Sequence, residues 1–256
     1  MSRKIWLQEM TWEEVRDRVK EVDIVIVPVG STEQHGSALP LGTDSYAAIG
    51  LAEDTAKRTG VVIAPPIWYG DSAHHMAFPG TITLKPETLI ELVKDVCESL
   101  VKHGFKKLVI INGHRGANLP ALDIATRAVK EKADVFIAVV DPFHIAGDIV
   151  PQIRETDGYH AEEIEASHML HLRPELVHLD RAVKEMPELP KYMVLDPFKK
   201  AIRIDIKFNA KDELTMTKSG AMGDPRKGTR EKGDKYHQVM VNVIVDFIEG
   251  IKTLKI

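Results

Sequence analysis

The residues that could do chemistry fall into a few short segments. The first reads Ser31-Thr32-Glu33-Gln34-His35-Gly36, with Asp44 following beyond Pro40 and Gly42. In an extended segment Glu33 and His35 point the same way, because side chains alternate along a strand. Two carboxylates and an imidazole form a mixed oxygen and nitrogen donor set that zinc, manganese or ferrous iron accepts. Helix capping by Glu33 and His35 would account for the same spacing, so both readings stand open on spacing alone. A second segment, Asn112-Gly113-His114-Arg115-Gly116, sets a histidine between glycines that let backbone approach a ligand closely. An incidental turn is the plainer explanation, and the composition of the loop favours function.

A third segment is Tyr159-His160-Ala161-Glu162-Glu163-Ile164-Glu165. If a helix begins here, His160 and Glu163 share a face, with Glu162 and Glu165 as a neighbouring pair. Glutamates in a first turn also satisfy the helix dipole, which needs no further role. The fourth, Trp68 to Thr81, holds His74 and His75 beside aromatics, as the wall of a substrate pocket would; Trp68 and Phe78 suit a core equally well. His103, His168, His171, His178 and His237 lack ligand-like neighbours and read as structural or solvent-facing, while His144 could border a site.

Positioning such side chains requires a scaffold, and four apolar runs supply one. They span 23–30, 60–66, 107–113 and 134–142, and each ends in Gly, Pro, Asn or Asp. Continuous Val/Ile runs of this kind predict strands buried on both faces, as in a parallel sheet. Helical patterns lie between them. Thr11-Trp12-Glu13-Glu14 predicts a capping box. Pro86 opens a helix with the face Leu89, Leu92, Val93, Val96 and Leu100, and Gly104 follows as its C-cap. Pro120 opens another through Val129, and a last helix covers 239–251. Residues 201–208 alternate apolar and charged, predicting a strand with one wet face. Ligands in open α/β sheets sit outside the carboxyl ends of the strands. Three of the four chemical segments follow a predicted strand directly.

Composition removes other classes. Hydrophobic residues at 44% and charged residues at 28% of 256 argue for a globular chain and against disorder. The net charge of −4 lacks the basic excess of nucleic-acid binders. No apolar run approaches the ~20 residues of a membrane span. No apolar stretch follows the basic start, and Cys97 is the single cysteine, so a cytoplasmic protein without disulfides is expected.

Taken together, the segments resemble the creatininase (creatinine amidohydrolase) family. The matching pieces are Gly30 to Gly36 with Leu39-Pro40-Leu41 and Thr43-Asp44, Phe78-Pro79-Gly80-Thr81, Asn112-Gly113-His114, His160-Ala161 with Glu163 and Glu165, and Gly220-Ala221-Met222-Gly223-Asp224-Pro225. They run in family order across nearly the whole chain. The resemblance implies one α/β domain over 1–256, with a mostly parallel sheet, helices on its flanks and assembly as a homohexamer. It also implies one or two divalent ions at the sheet's carboxyl edge, zinc first, with manganese or iron as alternatives. Glu33, His35, Asp44 and His114 are the implied ligands, with Asp44 bridging. Glu165 is the implied helix carboxylate, and Glu163 could replace it. His160 matches the histidine that handles protons.

His75, Arg115 and Tyr159 are the candidate substrate contacts, Arg115 because a guanidinium grips carboxylates and phosphates bidentately. Two departures turn the expectation away from creatinine itself. Gly116 stands where creatinine-hydrolysing members carry a glutamate ligand, and Thr156 to Tyr159 replace tryptophans around the substrate. The loop after His114 is also one residue longer than the usual His-Gly-Gly-Asn. The expected activity is metal-assisted hydrolysis of a small, cyclic amide or carbonyl compound. A formamide and a cyclic diketone from inositol breakdown are the alternatives the family offers. The competing class is a metabolite-binding protein without catalysis, against which the intact Glu33, His35, Asp44 and His114 count.

Overall fold

The structure, a computed structural model, describes residues 4–199, 204 and 206–256. Four parallel strands form its centre: β1 Ile24–Val29, β2 Val62–Ile63, β3 Lys107–Asn112 and β4 Phe136–Val140, in the order β2-β1-β3-β4. Alternation along β1 divides the core. Val25, Val27 and Val29 pack on one side with Leu108 and Ile110, while Ile24 and Ile26 pack on the other with Val109 and Ile111. The expected fold class, a single α/β domain with a parallel sheet flanked by helices, is what the chain forms.

Seven helices matter to the site: α1 Trp12–Glu21, α2 Thr43–Thr59, α3 Pro86–Lys102, α4 Asn118–Lys132, α5 Glu163–Leu172, α6 Ala210–Met216 and α7 Arg230–Lys252. The capping box at Thr11 and Glu14 is present. Helices α3 and α4 cover one face of the sheet and α2 with α7 the other. β2 lies beside β1 on one edge and β3 on the other, so the chain reverses its direction of winding between β1 and β3. The carboxyl ends of these two strands therefore flank an open crevice, the place where such sheets bind ligands.

Several boundaries differ from the sequence expectation. β2 pairs over only two residues of the run 60–66, because Pro65 and Pro66 lack the N–H groups a ladder needs. The last helix begins at Arg230, capped by Thr229, well before 239. Leu92 is 37% exposed, and Cys97 fills the buried face of α3 instead. The segment 159–165 is not helical from its start: α5 begins at Glu163 with Glu162 as its N-cap, and Ala161 holds φ 49° in the left-handed region. His160 thus lies before the helix and does not stack on Glu163. The alternating segment 201–208 lies partly outside the described residues, and Ile204 and 206–208 form no strand. Among the described residues, no helix is long and apolar enough to cross a membrane.

Gly113 follows the last residue of β3. A Cβ there would collide with the backbone carbonyl oxygen of Asp44, in the first turn of α2. Gly113→Ala is expected to cost about 1–3 kcal/mol, the usual effect of over-packing a filled site. Thermal unfolding checks this, and a melting temperature equal to wild type would contradict the close approach.

Candidate metal centre

The loop after β1 carries Glu33 and His35, both buried. The His35 Nδ1–H donates to the Glu33 carbonyl oxygen at 3.2 Å, which leaves Nε2 facing inward. Asp44 stands in the first turn of α2, where the helix dipole favours a carboxylate. Its two oxygens look opposite ways: Oδ1 is 3.2 Å from His35 Nε2, and Oδ2 is 3.1 Å from His114 Nδ1. The loop after β3 fixes His114 by letting Nε2–H donate to the Asp71 carbonyl at 3.0 Å. His114 Nδ1 also lies 3.2 Å from Glu33 Oε1. Ser72 donates to the other oxygen of Glu33 at 2.6 Å, so that carboxylate is held from behind.

Two more imidazoles close the site. His160 donates its Nε2–H to the Gln34 carbonyl at 2.7 Å, and its Nδ1 lies 4.0 Å from Glu33 Oε1. His75 donates its Nδ1–H to Glu213 Oε1 of α6 at 2.5 Å, with Nε2 3.4 Å from Glu33 Oε1. Glu165 accepts from the Ala161 N–H at 2.6 Å, and its Oε2 lies 3.9 Å from His35 Nε2. The backbone turn at Ala161 is what aims both His160 and Glu165 inward.

The acidic pairs of the third segment separate by role. Glu163 is fully buried but consumed: it accepts from the N–H groups of Glu155 and Thr156, the Thr156 hydroxyl and Lys232. Glu162 accepts from the N–H groups of Ile164 and Glu165, the dipole-satisfying role that needs no further explanation. Glu165 alone of the three reaches the centre.

The electrostatics describe a cage of anions waiting for positive charge. Burial disfavours a charged His35, but the Asp44 carboxylate outweighs it and raises its pKa to about 10. His75 behaves alike: burial opposes the cation, and Glu33 and Glu213 raise it to about 9. Burial pushes Glu165 up to about 7. Burial also keeps His160 neutral, and the positive charge of His75 and His35 pushes its pKa down further. His74 is held down to about 3 by burial and by His75.

A divalent cation fits this donor set on the geometry of the chain itself. His35 Nε2 is buried with no hydrogen-bond partner among the described residues, although it faces carboxylate oxygens. Glu33, His35 and Asp44 offer donor atoms all within 4.8 Å of one another, as do His35, His160 and Glu165. Mixed imidazole and carboxylate donors of this kind suit zinc, manganese or iron.

A cleft of ≈ 720 Å³ opens over the centre. Tyr159, Arg115, His74 and His75 line it, together with Ile206 and Phe208 from the segment before α6. Arg115 is partly engaged, its Nε donating to Asp141 at 3.1 Å. His75 is almost fully buried, with one nitrogen against Glu213 and the other against Glu33, so little of it is offered to a substrate. Trp68 packs edge-on against Tyr46. Among the other histidines, His168 and His237 form a buried hydrogen bond that continues to Asp54, a structural role as expected. Sequence reasoning missed Glu213 and Ser72; Ser72 lies in the segment Trp68 to Thr81 but has no sequence-assigned role there, and Glu213 is far along the chain from the histidine it holds.

Comparison with known proteins places this geometry. The family model for creatininase, described as creatinine amidohydrolase, matches residues 8–248. A 3-dehydro-scyllo-inosose hydrolase of Thermotoga maritima is 34% identical over 190 residues, 72% of this chain; the match spans 61% of that relative's own length. A mycofactocin precursor peptide peptidase of Mycolicibacterium smegmatis is 30% identical over 238 residues, 89% of this chain and 85% of its own length. A solved mutant creatininase of Zn–Zn type is 28% identical with a TM-score of 0.81, covering 97% of this chain and 98% of that one. The chain belongs to the creatininase family.

Because Asp44 sets one oxygen against His35 and the other against His114, its loss removes a shared donor. Asp44→Ala is expected to lower bound divalent metal more than His114→Ala, measured by elemental analysis of purified protein. The reverse order would remove the bridging role from Asp44.

Proposed function

We propose that this creatininase-family chain is a metal-dependent hydrolase acting on a small, polyoxygenated cyclic carbonyl or amide compound. One observation carries the reading: imidazoles fixed by acceptors behind them aim their remaining nitrogens at a buried cluster of carboxylates beneath an open cleft. A pure binding module has no use for such an arrangement. Glu33, His35, Asp44, His114 and Glu165 are the residues that hold the metal, with zinc the first choice because a solved relative is of Zn–Zn type. When bound, divalent ions here supply an acidified water and a Lewis acid for the carbonyl oxygen.

The remaining roles belong to the chain. His160, its Nε2–H tied to Gln34, carries the proton at Nδ1 to and from the reacting atoms. Arg115 and Tyr159, on the wall of the cleft, orient the oxygens of the substrate. Gly116 and Tyr159 replace the groups that creatinine-hydrolysing members use, which supports a substrate other than creatinine. The 34% identity to an inosose hydrolase favours a polyhydroxylated cyclic ketone over a formamide. Assembly as a homohexamer and a cytoplasmic location complete the proposal; the family resemblance supports the first, and a single buried Cys97 agrees with the second.

Hydrolysis of a panel of cyclic ketones and amides, with and without a strong chelator, tests the reading. A polyhydroxylated cyclic ketone is expected to turn over faster than creatinine, with activity lost on chelation. His160→Gln is expected to lower kcat by about 10²–10⁴-fold while metal content stays at the wild-type level. Chelator-resistant activity contradicts the metal reading, and a His160 variant that loses metal makes that residue a ligand.

A further inference from the structure

Gly116 leaves the loop after β3 without the carboxylate that creatinine-hydrolysing members place there. A side chain would fit, since a Cβ at Gly116 would meet only His114 and His74 at ordinary contact distances of 3.7–3.8 Å. His75, on the loop after β2, reaches the same carboxylate cluster. His75 Nε2 lies 3.4 Å from Glu33 Oε1 while Nδ1 is bonded to Glu213, so the ring stands between two carboxylates. A divalent ion would take the place of the Nε2 proton as the positive charge facing Glu33, since a ligating imidazole is neutral.

We propose that His75 is a metal ligand through Nε2 and that Glu213 is its positioning residue. The inference rests on the metal-dependent reading above. A ligating imidazole that donates its other N–H to a carboxylate is the arrangement that fixes the ring and strengthens its lone pair. Glu213 has the environment this role needs. It is fully buried, its Oε1 accepts from both His75 and Gln34 Nε2, and its Oε2 has no hydrogen-bond partner among the described residues. A buried carboxylate with an idle oxygen costs stability unless a nearby positive charge compensates it. His75 and Glu33 offer donor atoms within 4.8 Å of one another, close enough to share an ion. Gln34 sits between the ligands Glu33 and His35 and donates also to the Gly220 carbonyl, which ties α6 and the 220 segment to the metal loop.

The test is metal binding by metal-stripped full-length protein, read by calorimetry with zinc, with X-ray absorption counting imidazoles on the loaded form. His75→Gln is expected to lose one imidazole from the absorption spectrum and to bind zinc at least tenfold more weakly, a scale of about 10–100-fold being usual even for supporting partners. Glu213→Gln is expected to weaken zinc by about 10–100-fold, and its effect is expected to vanish in the His75→Gln background. Circular dichroism establishes that each variant is folded, and His103→Ala, at an exposed histidine that caps α3, serves as the control with unchanged affinity. An unchanged imidazole count and affinity in His75→Gln overturns the inference while leaving the functional reading intact. Failure of the wild type to bind zinc at all overturns both.

Discussion

The site depends on one constraint: an imidazole has two nitrogens, and whatever the protein bonds to one decides what the other can do. Here His35, His114 and His160 each give an N–H to a backbone carbonyl, of Glu33, Asp71 and Gln34. Backbone carbonyls only accept, so the tautomer of each ring is set by main-chain geometry. His75 is the exception, held by a side-chain carboxylate from α6. Every one of these rings then turns its other nitrogen toward Glu33, Asp44 or Glu165. The centre is thereby built chiefly from loop backbone, which the parallel sheet holds rigid at its carboxyl edge.

That rigidity comes from close approach. The winding of the chain reverses between β1 and β3, so the loops bearing Glu33 and His114 emerge side by side. Helix α2 crosses directly against Gly113, bringing Asp44 between them. The strands that carry these loops are buried on both faces by α2 and α7 on one side and α3 and α4 on the other. Assembling so many carboxylates out of water is unfavourable by itself. The large hydrophobic core offsets that cost, and positive charge at the centre removes most of the repulsion.

The framework was legible because its signals are local. Continuous apolar runs marked β1, β3 and β4, and the capping box marked the start of α1. The loops at strand ends drew attention to Glu33, His35 and His114, and the crevice brings these together with Asp44. Spacing misled at His160, because a left-handed residue at Ala161 delays the helix until Glu163, and helical faces cannot be read across such a turn. Spacing could not separate Glu163 from Glu165 either; the answer lies in Lys232 and Thr156, remote and local partners that consume Glu163. Glu213 was invisible because nothing in its own segment distinguishes it from a surface glutamate. Its burial against His75 is a property of the tertiary fold alone.

The most direct measurement is a crystal structure with anomalous diffraction collected across the zinc edge. The account predicts metal density between the two oxygens of Asp44 and the rings of His35 and His114, at about 2.0–2.2 Å from their donor atoms, with every ring nitrogen behind still bonded to its acceptor. Absence of anomalous density there in zinc-loaded crystals, or rings turned so that their N–H groups face the carboxylates, would contradict it.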